Sequence, residues 1–184
     1  MTTVKNLDNP QILPINNHGD LRGAHIKLYG SVPENLLIEG FEIKEVFMTD
    51  SHKDVVRGLH FQEGAPQSKI ITPLTGAIQV NVVYLDPKHE KFGEVEHYTL
   101  NSTDNKRLYV PGMCGLGYRV LTSETKVLYM ANEHFVPGAD TGIDPFDSEL
   151  NTYWGENINK DSAILSDRDK ELGSFADYAK RVGR

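Results

Sequence analysis

The chain has 184 residues, room for one domain with its own core, and 39% of them are hydrophobic against 24% charged, which argues against intrinsic disorder. The formal net charge of −7 excludes the broad basic face of a nucleic-acid binder, though a local basic pocket for an anionic ligand is compatible with it. A single cysteine, Cys114, leaves no internal disulfide to form, and neither a signal-peptide core in residues 1–9 nor an apolar run of the ~20 residues a membrane helix needs is present, so the expectation is a cytoplasmic protein with no membrane partner.

In chain order, the first segment with strand character is 38–49, followed by 55–61 and 68–73. The clearest is 77–84, where Ile78, Val80, Val82 and Tyr84 alternate with Gln79 and Asn81 between a Thr75-Gly76 turn and an Asp86-Pro87 stop. Strands are further expected over 94–100, 107–110, 118–121 and 125–131, with turns at Pro111-Gly112 and Pro137-Gly138. The glycine-rich run 112–117 reads as a turn between two of them. Residues 166–182 differ: Leu172, Phe175, Ala176 and Ala179 fit a helical stripe, and Ser166 suits a cap with Asp169 three residues on. Many short strands without alternating helices imply an all-β sandwich or barrel closed by a short C-terminal helical segment, with the whole chain, 1–184, as one domain.

Several chemistries lack their motif. No G-x-G-x-x-G opens a helix, and there is no Walker A sequence, C-x-x-C or H-E-x-x-H. None of the seven histidines sits at the H-x-H spacing that would put two imidazoles on one strand face, so no metal is expected. The informative stretch is Arg57-Gly58-Leu59-His60-Phe61-Gln62, followed by Gln67-Ser68-Lys69. In an extended segment Arg57 and His60 face opposite sides unless Gly58 introduces a bulge. On its own His60 reads more readily as a structural histidine than as a catalytic one.

Together these residues resemble the signature of the dTDP-4-dehydrorhamnose 3,5-epimerase family. Further landmarks stand in the same order: Asp20-Leu21-Arg22-Gly23, Phe92-Gly93, Leu128-Tyr129, Asp144-Pro145 with Trp154, and Leu165-Ser166-Asp167-Arg168-Asp169. The likeness spans about residues 10–170. It implies a cupin-like jelly roll, a homodimer, and a nucleotide-linked 4-keto sugar as substrate. Epimerisation beside a ketone needs a base on one face of the ring, an acid on the other, and a charge near the enolate oxygen formed between the two steps. No hydride leaves, so no cofactor is implied. The resemblance makes His60 the base, Asp167 the carboxylate that orients it, Tyr129 the acid and Lys69 the group beside the enolate oxygen. Arg57 and Arg22 would hold sugar or diphosphate oxygens through their guanidinium forks, Arg22 from across the dimer.

The chain departs from the family pattern inside the implied pocket. Where the family reads G-x-A-H-G-F, this sequence runs through Gly115-Leu116-Gly117-Tyr118, and Leu116 replaces a second histidine. Glu45-Val46-Phe47 stands for the family's Q-x-N, and Phe135 stands near a family tyrosine. Leu116 and Glu45 are therefore expected to bind substrate, on a sugar or nucleotide whose polar groups differ. Two other activities fit the same scaffold. A keto-isomerase would return the proton to a neighbouring atom and would not need Tyr129 opposite the base. A sugar-nucleotide-binding protein would not turn its ligand over.

Overall fold

A computed structural model describes residues 7–30 and 38–184 and builds them into two five-stranded antiparallel sheets. The first runs in the order β1 (Gln11–Pro14), β9 (Lys106–Val110), β6 (Lys69–Thr75), β11 (Thr125–Ala131) and β4 (Glu45–Ser51). The second runs β12 (Asp140–Gly142), β5 (Val56–Gln62), β10 (Cys114–Val120), β7 (Ala77–Tyr84) and β8 (Val95–Asn101). A separate hairpin joins β2 (Asn16–Asp20) to β3 (Gly23–Lys27). This is the all-β jelly roll that the resemblance implies. Ile71, Leu108 and Val127 of the first sheet pack with Val80, Val82 and Tyr118 of the second in a shared core.

Each sheet has its outer face covered as well. Leu59, Phe61 and Val83 lie under Trp154, Leu165 and Tyr178 of the C-terminal segment, and Ile70, Tyr109 and Met130 lie under Ile38 and Phe41. Strand β7 is consequently buried along its whole length, including its polar positions. Asn81 is satisfied there: its amide donates to the Tyr153 carbonyl at 2.9 Å and its oxygen accepts from the Tyr153 N–H at 2.8 Å. The alternation in β7 therefore separates two buried environments rather than core from solvent.

Three expectations change. Of the segment 38–49, only the part from Glu45 pairs as a strand; Ile38 and Phe41 instead turn inward to cap the first sheet. Most of the run 112–117 belongs to β10 rather than to a turn. Its glycines answer to packing: a Cβ on Gly117 would lie 2.8 Å from the Arg57 carbonyl oxygen. The helical stretch 166–182 divides into α1 (Asp167–Lys170) and α2 (Phe175–Arg181), capped by Ser166 and Ser174. Between them Gly173 accepts a 2.9 Å bond from the Asp144 N–H, which takes that part of the backbone out of helical pairing.

Candidate active site

The cavity at the centre of the site, of about 410 Å³, is lined from both sheets. Strand β5 supplies Arg57 and His60. Their partners on β10 are Tyr118 and Leu116, so three steps on β5 match two on β10 and the strand bulges at Gly58. Gly58 sits at φ +103, and a Cβ there would lie 2.4 Å from the Leu116 carbonyl oxygen. The bulge turns Arg57 and His60 into the same cavity.

The carboxylate behind His60 is Asp169, not Asp167. Asp169 Oδ1 accepts from His60 Nε2 at 2.6 Å, and Oδ2 accepts from the Gly58 N–H at 3.3 Å. Because a carboxylate only accepts, Nε2 carries the proton and Nδ1 of the neutral ring keeps its lone pair. The Asp169 side chain is 4% exposed. Burial alone would raise its pKa, but the bonds from His60 and Gly58 and the nearby Arg168 charge outweigh that and hold it below the usual carboxylate value. Asp167 is 97% exposed and pairs with Lys170 at 3.1 Å. The reason is helical phase: positions two apart lie roughly 200° apart around a helix, so only one of these acids can face β5. The Ser166 cap, accepting from the Asp169 N–H at 3.1 Å, sets which one.

Lys69 enters the cavity from β6. Burial pulls its pKa down to about 8, opposed by the charge of Asp140. Asp140 in turn pairs with Arg168 at 2.7 Å, and both line the cavity. The sequence reading passed over these two. Arg168 stood inside a run already singled out for an acid, whereas Asp140 stood in no motif.

Tyr129, on β11, faces His60 from the opposite sheet. Its ring stacks on Phe47 of β4, centroids 4.6 Å apart and planes within 10°. Burial pushes its pKa far up, so it stays protonated at neutral pH. Tyr118, also missed at the sequence level, bonds Thr49 at 2.7 Å.

The remaining expected residues divide. Leu116 walls the cavity beside His60, and Glu45 lines it while accepting from the Phe135 N–H at 2.9 Å. Arg57 is anchored by Ser51, whose hydroxyl accepts from Nε and Nη2 at 3.1 and 3.0 Å. Arg22 does not line the cavity of its own chain. It stands 90% exposed at the hairpin tip, paired with Asp20 at 2.5 Å.

The family model described as dTDP-4-dehydrorhamnose 3,5-epimerase matches residues 5–177. The dTDP-4-dehydro-6-deoxyglucose 3-epimerase of Streptomyces bikiniensis is 27% identical over 168 residues, covering 90% of this chain and 84% of that protein. The dTDP-4-dehydrorhamnose 3,5-epimerase of Escherichia coli is 29% identical over 160 residues, covering 84% of this chain and 83% of that one. The crystal structure of the Bacillus anthracis 3,5-epimerase, with TDP and pyrophosphate bound, superposes with a TM-score of 0.84 at 28% identity, covering 95% of this chain and 99% of that one. With a match across nearly its whole length, this chain belongs to the dTDP-4-dehydrorhamnose 3,5-epimerase family.

Proposed function

We propose that this protein inverts C3, C5 or both of a dTDP-linked 4-keto-6-deoxyhexose, in deoxysugar biosynthesis. The observation that carries this is an imidazole backed by a carboxylate on one wall of a cavity and a protonated phenol on the other. His60 Nδ1 takes the proton from the carbon beside the ketone, and the electron pair moves to the keto oxygen. Asp169 stabilises the imidazolium. The Lys69 ammonium faces the developing enolate charge, where a preorganised cation acts most strongly. Tyr129 then delivers a proton to the same carbon from the other face, and the enolate collapses back to the ketone. A proton leaves and a proton returns, with no net oxidation, so the step needs no redox cofactor. A phenol facing the base favours epimerisation over keto-isomerisation, which has no use for a donor there.

The same reading assigns Arg57 and Glu45 to ligand polar groups and Leu116 to an apolar part of the sugar. It takes the chain as one catalytic domain acting in the cytoplasm. It also takes the functional unit as a homodimer in which Arg22 serves the partner's cavity. The exposed Val46, Phe47 and Met48 on edge strand β4 support a covering second copy. Among the described residues no helix is long and apolar enough to cross a membrane.

The test is incubation with dTDP-4-keto-6-deoxyglucose in deuterated water, followed by NMR. Deuterium is expected at C3 or C5, and His60→Asn is expected to abolish it. A wild-type protein that labels neither carbon would overturn the reading.

A further inference from the structure

Inversion moves more than a proton. As the hydrogen of a carbon is taken from one face and returned on the other, that carbon's exocyclic substituent travels the opposite way. It starts on the donor's side of the ring and ends on the base's side, so both walls have to suit it. Two carbons flank the ketone of a 4-keto-6-deoxyhexose. C3 swings a hydroxyl, whereas C5 swings the C6 methyl.

We infer that the carbon this site inverts is C5, and that Leu116 and Phe47 make the choice. The inference rests on the epimerase reading above and deepens it. Beside the base, Leu116 is the register partner of His60 on the neighbouring strand and is buried. Beside the donor, Phe47 is the register partner of Tyr129, and its ring lies flat on the phenol with centroids 4.6 Å apart. Both line the cavity. A substituent that crosses the ring plane here leaves the side of Phe47 and arrives on the side of Leu116, with hydrocarbon at each end of its path. A methyl makes that passage at no loss. A hydroxyl gives up its hydrogen bonds to water and meets carbon instead. The side chains two positions either way from Phe47 on β4 are already engaged: Glu45 accepts from the Phe135 N–H at 2.9 Å, and Thr49 bonds the Tyr118 hydroxyl at 2.7 Å.

The sequence carries the same signal once on each wall. Leu116 stands for a histidine of the family pattern, and Phe47 for the asparagine of Q-x-N. Each exchange removes a hydrogen-bonding side chain and puts hydrocarbon in its place. A substituent that stayed still would need only one wall changed; one that crosses the ring needs both. In the step itself His60 takes the C5 hydrogen as a proton, the electron pair runs through C4 to the keto oxygen, and Tyr129 returns a proton to C5. C3 keeps its hydrogen and its configuration.

Regiochemistry tests this directly. With dTDP-4-keto-6-deoxyglucose in deuterated water, and exchange without protein subtracted, the wild type should label C5 faster than C3 by about tenfold to a hundredfold. Borohydride reduction and hydrolysis of the product should give a sugar inverted at C5 and unchanged at C3. The double variant Leu116→His, Phe47→Asn should lower the C5-to-C3 ratio by about tenfold. Leu116→Asn alone should shift it the same way and serves if the double variant does not fold. The ratio is read within one reaction, so slower chemistry or a smaller folded fraction cancels from it. A wild type that labels C3 as fast as C5, or faster, overturns the inference while the epimerase reading stands. A ratio unchanged in the variants takes the choice away from Leu116 and Phe47. Label at neither carbon in the wild type refutes the epimerase reading instead, which keeps the two failures distinct.

Discussion

At the scale of single residues, the site turns on which of two acids in Leu165-Ser166-Asp167-Arg168-Asp169 reaches His60. Asp169 does, at 2.6 Å, and Asp167 points to solvent. Replacing Asp169 by Asn removes the charge that stabilises the imidazolium and forces a different proton arrangement on Nε2, so kcat should fall by about 10²- to 10⁴-fold. Asp167→Asn should stay within about twofold of wild type, since exposed pairs contribute little. Stability gives an independent readout. The Asp169 pKa is lowered on folding, so its contribution is complete above the ordinary aspartate value and is lost as pH falls through the lower folded value. Urea midpoints measured from pH 7 towards pH 3 should therefore fall less steeply for Asp169→Asn than for wild type. His60, Lys69 and Tyr129 were legible in the sequence because each stands in a short run whose neighbours fix it. The choice between Asp167 and Asp169 was not, because both stand in the same run and only helical phase tells them apart.

At the scale of elements, the bulge in β5 decides whether Arg57 and His60 share a cavity. Gly58 makes it, at a positive φ and against the backbone of β10. Gly58→Ala meets both obstacles: a strained left-handed residue and a Cβ 2.4 Å from a carbonyl oxygen. Urea denaturation should show a loss of about 1–3 kcal/mol. Activity should fall further than that loss of folded protein explains, because relief of the clash moves His60 away from Asp169. The need for a bulge was readable from the Arg57–His60 spacing, while its form needed the partner strand. Strands β7 and β11 were read to the residue, since turns bracket one and an unbroken apolar run, Val127 to Ala131, fills most of the other. The β2–β3 hairpin escaped because it buries no face in this chain, so its sequence carries no period of two.

At the scale of the whole molecule, that same hairpin asks what it is for. It carries the exposed Leu21 and Ile26 and holds Arg22 away from its own cavity. Strand β4 meanwhile presents Val46, Phe47 and Met48 on an edge that no other described strand pairs, beside the cavity mouth. An open apolar edge invites pairing with another chain, and a second copy is the partner that would also bring an arginine to the site. If each cavity borrows Arg22 from the neighbouring chain, Arg22→Ala and His60→Asn damage opposite members of a pair. Either variant alone should be weak or dead. Mixed after gentle unfolding and refolding, they should regain about a quarter of wild-type activity. Half of the pairs are then mixed, and each mixed pair holds one site with His60 from one chain and Arg22 from the other. Recovery requires both that the protein is a dimer and that the site is shared. A mixture no more active than the average of its parts would place Arg22 outside the partner's cavity and leave each jelly roll to work with its own residues alone.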